Sequence, residues 1–153
     1  MSTAPARPPG AGFRPAVWAA RRRIPPAQLA AAAILVGGAC GALGRAGLAE
    51  AFDSGAGEWP WGTFVANQLG TLLLAWIATE LAEVVVPARL WRPLLGTGLC
   101  GALTTFSAFQ VETIDIARHG RLGLAATYAV VSIGVGMACA VAGTVFARRR
   151  AYG

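Results

Sequence analysis

The sequence contains no lysine: all 13 basic residues are arginine, accompanied by one histidine, three cysteines and seven acidic residues. Charged residues make up 13% of the chain, about half of the ~25% usual for soluble domains. Each shortage excludes something. Cys40, Cys100 and Cys139 lie inside apolar segments, and an odd number closes no disulfide framework, so burial as small packing residues is their expected role. No Cys/His spacing suits a metal. The single histidine, His119, sits in a short polar turn between Arg118 and Arg121, away from Ser107 and from every cysteine. No nucleophile therefore has an evident base, and an enzyme is not expected. A soluble four-helix protein would need more charge than this to cover its outside. The net charge of +6 does not point to nucleic acid, because the arginines flank apolar runs and form no stripe with interleaved aromatics. Their position is that of membrane-flanking charge, and the lipid bilayer is the expected surrounding.

What the chain has in abundance is apolar length. Hydrophobic residues account for 56% of it. Four spans can be drawn, at about 26–49, 61–82, 93–117 and 122–147, each near the roughly 20 residues a bilayer requires. The connections, 50–60, 83–92 and 118–121, are short, so consecutive helices should be antiparallel neighbours. Trp59, Trp61 and Trp91 fall at the starts of the second and third spans, where interfacial indoles belong. The expected fold class is an all-α membrane protein with four transmembrane helices. Residues 1–25 read as a disordered Arg/Pro-rich tail, 26–147 as the transmembrane domain and 148–153 as a basic C-terminal tail. The basic stretch before the first span also fits a signal peptide, but three further spans favour a retained helix.

The stretch from Gly96 to Glu112 is the least helix-like part of these spans. Glycines at 96, 98 and 101 each cost a helix about 1 kcal/mol against alanine, and the β-branched Thr104 and Thr105 follow. In lipid, backbone that leaves a helix is tolerated only where it is buried in protein or lines a polar cavity. A third helix broken near its middle, around Gly101–Thr105, is therefore expected, with carbonyls freed for another partner. Phe106, Ser107 and Phe109 come directly after, and Glu112 three residues on.

Small and polar residues recur four apart elsewhere: Gly37, Gly41 and Arg45; Asn67 and Thr71; Tyr128, Ser132, Gly136, Ala140 and Thr144. The glycines and alanines read as close helix packing. Asn67, Tyr128 and Ser132 read instead as donors that, with Ser107 and the positive edges of two phenyl rings, replace the water of a small anion. The mid-membrane chain offers no lysine or histidine to trap such an ion, which suits passive flow. A proton-exchanging carrier would need a carboxylate in the core of the first span, and none is there. A non-conducting scaffold is the remaining alternative. Arg45 and Glu112 fall late in spans that run the same way, and either pair at similar depth or are solvated separately.

Three blocks, Gly37–Arg45, Gly62–Gly70 and Gly101–Phe109, resemble in order and spacing the signature blocks of the Fluc (CrcB-type) fluoride channels, and the likeness extends from about residue 28 to 147. The resemblance implies a fluoride-specific channel in the cell membrane, exporting fluoride passively and so lowering its cytoplasmic toxicity. It implies an antiparallel dimer, and a structural, non-transported Na+ at the dimer centre held by backbone carbonyls that match Gly101 and Thr104. The family's pore phenylalanines match Phe106 and Phe109, its pore asparagine matches Asn67, and its fourth-helix tyrosine and serine match Tyr128 and Ser132. Ala108 stands where many members carry threonine, and Ala46 where a tyrosine often follows the arginine. Ten arginines (7, 14, 21–23, 89, 92 and 148–150) fall on the side of the two termini, against Arg118, Arg121 and Arg45 on the other. That bias predicts cytoplasmic termini. The partner in an antiparallel dimer is then either inverted copies of this chain or an oppositely oriented paralogue, and the resemblance favours the paralogue, because some members of the family occur as such pairs.

Overall fold

The computed structural model describes residues 26–83 and 90–152; the expected N-terminal tail, residues 1–25, lies outside them. Among the described residues every regular element is a helix. α1 spans Ala27–Ala51 and α2 Trp61–Glu83. α3 is Arg92–Cys100, π-wound, running into the single α turn Gly101–Leu103. α4 is Phe106–Arg118 and α5 Leu122–Tyr152. Four stretches are long and apolar enough to cross a membrane: Ala27–Ala51, Trp61–Ala82, Arg92–Arg118 and Leu122–Ala151. α3 and α4 share the third of these. α5 continues past 147 through Arg148, Arg149 and Arg150, so the basic C-terminal stretch is helical as far as Tyr152. Cations in a last turn complement the negative end of the helix dipole, which helps the helix to run on.

The apolar side chains point outward. Leu35 is 74% exposed, and Leu43, Val130 and Val141 are exposed alongside it. Water would penalise such a surface, whereas lipid tails solvate it as well as protein does. Shape therefore holds the helices together, through small residues. α1 packs along α3, and α2 along α5. A Cβ at Gly37 would collide with the carbonyl oxygen of Leu94, one at Gly41 with that of Leu99, and one at Gly98 would lie 2.7 Å from Ile34 O. The α1 and α3 backbones are thus in direct contact, an approach only glycine permits. Gly143 does the same for α5 against α2, where a Cβ would sit 2.5 Å from Leu72 O. The cysteines divide: Cys100 is buried as expected, Cys139 is half-buried and Cys40 is exposed on the outer face of α1.

The polar ends are tied locally. α4 stops at Gly120, whose φ of 79° is left-handed, while Gly120 N donates to Ala117 O (3.0 Å) and Arg121 N to Ile116 O (3.2 Å). This paired closure satisfies the last carbonyls and turns the chain into α5. Gly57, with φ 72°, fixes the loop between α1 and α2 to the same turn: its N–H donates to Asp115 Oδ2 (3.1 Å) and its carbonyl accepts from the Arg121 guanidinium (3.2 Å).

Candidate functional site

Between α3 and α4 the backbone leaves the helix for two residues. Thr104 (φ −84°, ψ 147°) and Thr105 (φ −147°, ψ 117°) are extended, whereas Gly101 keeps helical angles of −65° and −30°. The glycines thus sit before the departure from helix, and the β-branched threonines make it, as their preference for extended backbone favours. Most polar groups around these two residues have partners. Thr104 N and Thr104 Oγ1 both donate to Cys100 O (3.0 and 2.9 Å). Thr105 Oγ1 caps α4 by accepting from Ala108 N (3.2 Å). The N–H of Thr105, which would bond Gly101 O in a continuous helix, donates instead to Asn67 Oδ1 (2.7 Å), and Asn67 Nδ2 donates to Thr105 O (3.1 Å). Asn67 on α2 therefore binds Thr105 much as a neighbouring strand would. Because Thr105 N can only donate, the orientation of the Asn67 amide is fixed, and one Nδ2 hydrogen remains for another acceptor. The Ala102 carbonyl, released in the same way, accepts from Arg45 Nε (3.2 Å).

A cleft of about 260 Å³ opens beside these two residues, walled by Asn67, Gln68, Thr104, Phe106, Phe109 and Ser132, with Thr71, Thr105, Ile133 and Gly136 completing it. Phe106 is 72% exposed, and its ring centroid lies 5.9 Å from that of Phe109. Asn67, Phe106, Phe109, Ser132 and Thr104 are thus brought together from three helices and the link between α3 and α4. The remaining candidates lie elsewhere. Ser107 is exposed and meets only Thr105 Oγ1 (3.2 Å). Gly101 is exposed and off the cleft wall. Tyr128 is 0% exposed, packed between Phe109 (tilted, 5.4 Å) and Trp59 (edge to face, 5.2 Å). Its hydroxyl donates to Glu112 Oε2 (3.0 Å), and Thr63 Oγ1 donates to Glu112 Oε1 (2.5 Å). The structure does not pair Arg45 with Glu112. Arg45 closes the end of α3, and Glu112 joins α4 to α2 and α5 through two hydroxyls, a neutral solution to holding a carboxylate at this depth.

Gln68 is the residue of the wall that pattern reading missed. It follows Asn67 directly and so falls off the i, i+4 stripe, yet a glutamine inside an apolar span is itself a sign of an interior position. Its Nε2 donates to the backbone carbonyl of Ser132 (3.2 Å).

The arrangement defines a class first: a small multi-pass membrane protein whose third span is interrupted beside a polar and aromatic cleft. The model of the family described as CrcB-like protein, Camphor Resistance (CrcB), matches residues 32–144, and the chain belongs to that family. Similar proteins include the fluoride-specific ion channel FluC 1 of Mycobacterium bovis, 49% identical over 118 residues, or 77% of this chain and 89% of the relative. The fluoride-specific ion channel FluC of Novosphingobium aromaticivorans is 42% identical over 111 residues (71% and 87%). That of Oceanobacillus iheyensis is 39% identical over 110 residues (72% and 84%). The family is one of membrane transport and not of enzymes.

Proposed function

We propose that the chain is a subunit of a fluoride-specific channel that lets fluoride leave the cell passively and so lowers its cytoplasmic level. The observation that carries the reading is the cleft itself. Phe106, Phe109, the free Nδ2 hydrogen of Asn67 and the Ser132 side chain converge on one space at membrane depth. Fluoride is small and strongly hydrated, so a site that takes it from water must supply several close donors. A ring edge and an amide hydrogen do this without the trapping strength of a fixed cation. Relatives at 39–49% identity are named fluoride-specific ion channels, which supports the choice of ion.

Two further parts belong to the proposal. The interrupted third span releases backbone carbonyls at membrane depth, since Thr105 N is held by Asn67 and no longer by the helix. Among the described residues there is no group of three His, Cys, Asp or Glu side chains, so a cation there would depend on backbone oxygens. The Gly101 and Thr104 carbonyls fit a structural Na+, a hard ion satisfied by oxygen alone. It would supply fixed positive charge at the interruption and join two subunits at their centre. The second part is assembly: an antiparallel pair would close the open side of the cleft, the arginine bias supports cytoplasmic termini for this chain, and a paralogue is the favoured partner. Purified protein in liposomes loaded with fluoride or chloride tests the reading. Rapid release of fluoride with chloride retained is expected, and equal release of both, or of neither, would overturn it.

A further inference from the structure

Two polar atoms in the cleft are buried and make no hydrogen bond of good geometry: Gln68 Oε1 and Ser132 Oγ, the latter with the Tyr128 hydroxyl as a neighbour. They belong together. Gln68 is 9% exposed, and because its Nε2 is committed to Ser132 O (3.2 Å), the amide cannot turn over without setting two carbonyl oxygens face to face. Both ends of the amide therefore meet α5, Nε2 at the Ser132 carbonyl and Oε1 at Gly136. Oε1 lies over Gly136, where an added Cβ would come within 3.4 Å of it, one helical turn from Ser132. Both residues line the cleft that holds Asn67, Phe106 and Phe109. A buried acceptor beside a buried hydroxyl forfeits its hydration unless a third group satisfies both.

We propose that Gln68 and Ser132 together hold one water molecule, and that this water serves as a fixed piece of the hydration shell of the ion in the cleft. The idea rests on the fluoride-channel reading above. The chemistry specifies the ligand. Gln68 Oε1 repels an anion and accepts from a donor, so fluoride itself does not sit against it. Water does: it accepts from Ser132 Oγ–H, donates one hydrogen to Gln68 Oε1 and keeps the second for an anion further into the cleft. These bonds meet the usual three of a buried water, and a cleft of about 260 Å³ exceeds the ~30 Å³ a water occupies. Gln68 is on this account a specificity-determining residue, acting on the ion through the water.

The test is fluoride efflux from proteoliposomes, measured against fluoride concentration, for the parent, Gln68→Leu, Ser132→Ala and the double variant, with Gln68→Met as a second replacement of the same length. Losing one donor to the ion should raise the half-saturating fluoride concentration about fivefold in each single variant. The double variant should be no worse than either single, because both remove the same water. A purely structural role would lower the maximal flux and leave half-saturation unmoved, and that result overturns the proposal. So do single-variant effects that multiply in the double. If the parent itself passes no fluoride, the channel reading fails and this inference falls with it; if the parent conducts and Gln68→Leu and Gln68→Met match it, only the water is refuted.

Discussion

Replacing Asn67 by alanine removes both side-chain bonds that hold Thr105: the 2.7 Å bond from its N–H and the 3.1 Å bond to its carbonyl. Neither backbone group can return to a helical partner, since Thr104 and Thr105 are extended. Interhelical hydrogen bonds in membranes are each worth about 0.6–1.7 kcal/mol, so two of them amount to roughly 1–3 kcal/mol. At about 2–4 °C per kcal/mol for a chain of this size, the midpoint of thermal unfolding should fall by roughly 3–10 °C. Unfolding of the purified, assembled protein in detergent measures this directly, with Thr71→Val as a comparison. Thr71 lines the same cleft, but its hydroxyl bonds only the Asn67 carbonyl within α2 (2.7 Å). Asn67→Ala with an unshifted midpoint would refute the clamp, and Asn67 would then be an ion contact alone.

Three other outcomes follow from the same geometry. Tyr128→Phe and Glu112→Gln each disturb the bond between the tyrosine hydroxyl and the carboxylate, so their effects on unfolding should be less than additive, with a coupling of about 0.5–1.5 kcal/mol in a double-mutant cycle; strict additivity would deny that the two groups meet. Replacing sodium by a large organic cation throughout purification should lower the unfolding midpoint or the flux, and indifference to sodium at every concentration would count against the carbonyl site. A reporter fused to the C-terminus and active on one side of the membrane should read cytoplasmic in nearly all molecules, whereas equal signals on both sides would remove the case for a paralogous partner.

The spans were legible because a bilayer sets a length and a polarity that composition alone reveals. The packing role of Gly37 and Gly41 was legible in their four-residue spacing, whereas Gly98, which meets α1 in the same contact, was read only as a weak point of the helix. The site was readable in part. Phe106, Phe109, Asn67 and Ser132, each marked by the sequence, meet in one cleft, although Phe106 is largely exposed. The partners of each group depend on helix rotation and register, which no spacing records. Tyr128 shares a stripe with Ser132, but a one-turn difference in height takes it out of the cleft and into an aromatic cluster with Phe109 and Trp59. Ser107, between the two phenylalanines, is turned outward by the same helical geometry that brings Phe106 and Phe109 together. Arg45 and Glu112 could be read either as a pair or as separately solvated, and their partners proved to be a released carbonyl and two hydroxyls. Gln68 escaped because it broke a pattern that its neighbour Asn67 kept.

The most direct test of the central claim, fluoride movement through this cleft, is the initial rate of fluoride efflux from liposomes carrying the parent, Phe106→Ile or Phe109→Ile. Isoleucine keeps the apolar bulk of the wall and removes the positive ring edge. The account predicts rapid, fluoride-selective efflux by the parent and a fall of about tenfold or more in each variant, with assembly and unfolding midpoint preserved, since a tenfold change corresponds to ~1.4 kcal/mol of lost ion stabilisation. Folded isoleucine variants that release fluoride as fast as the parent would contradict it.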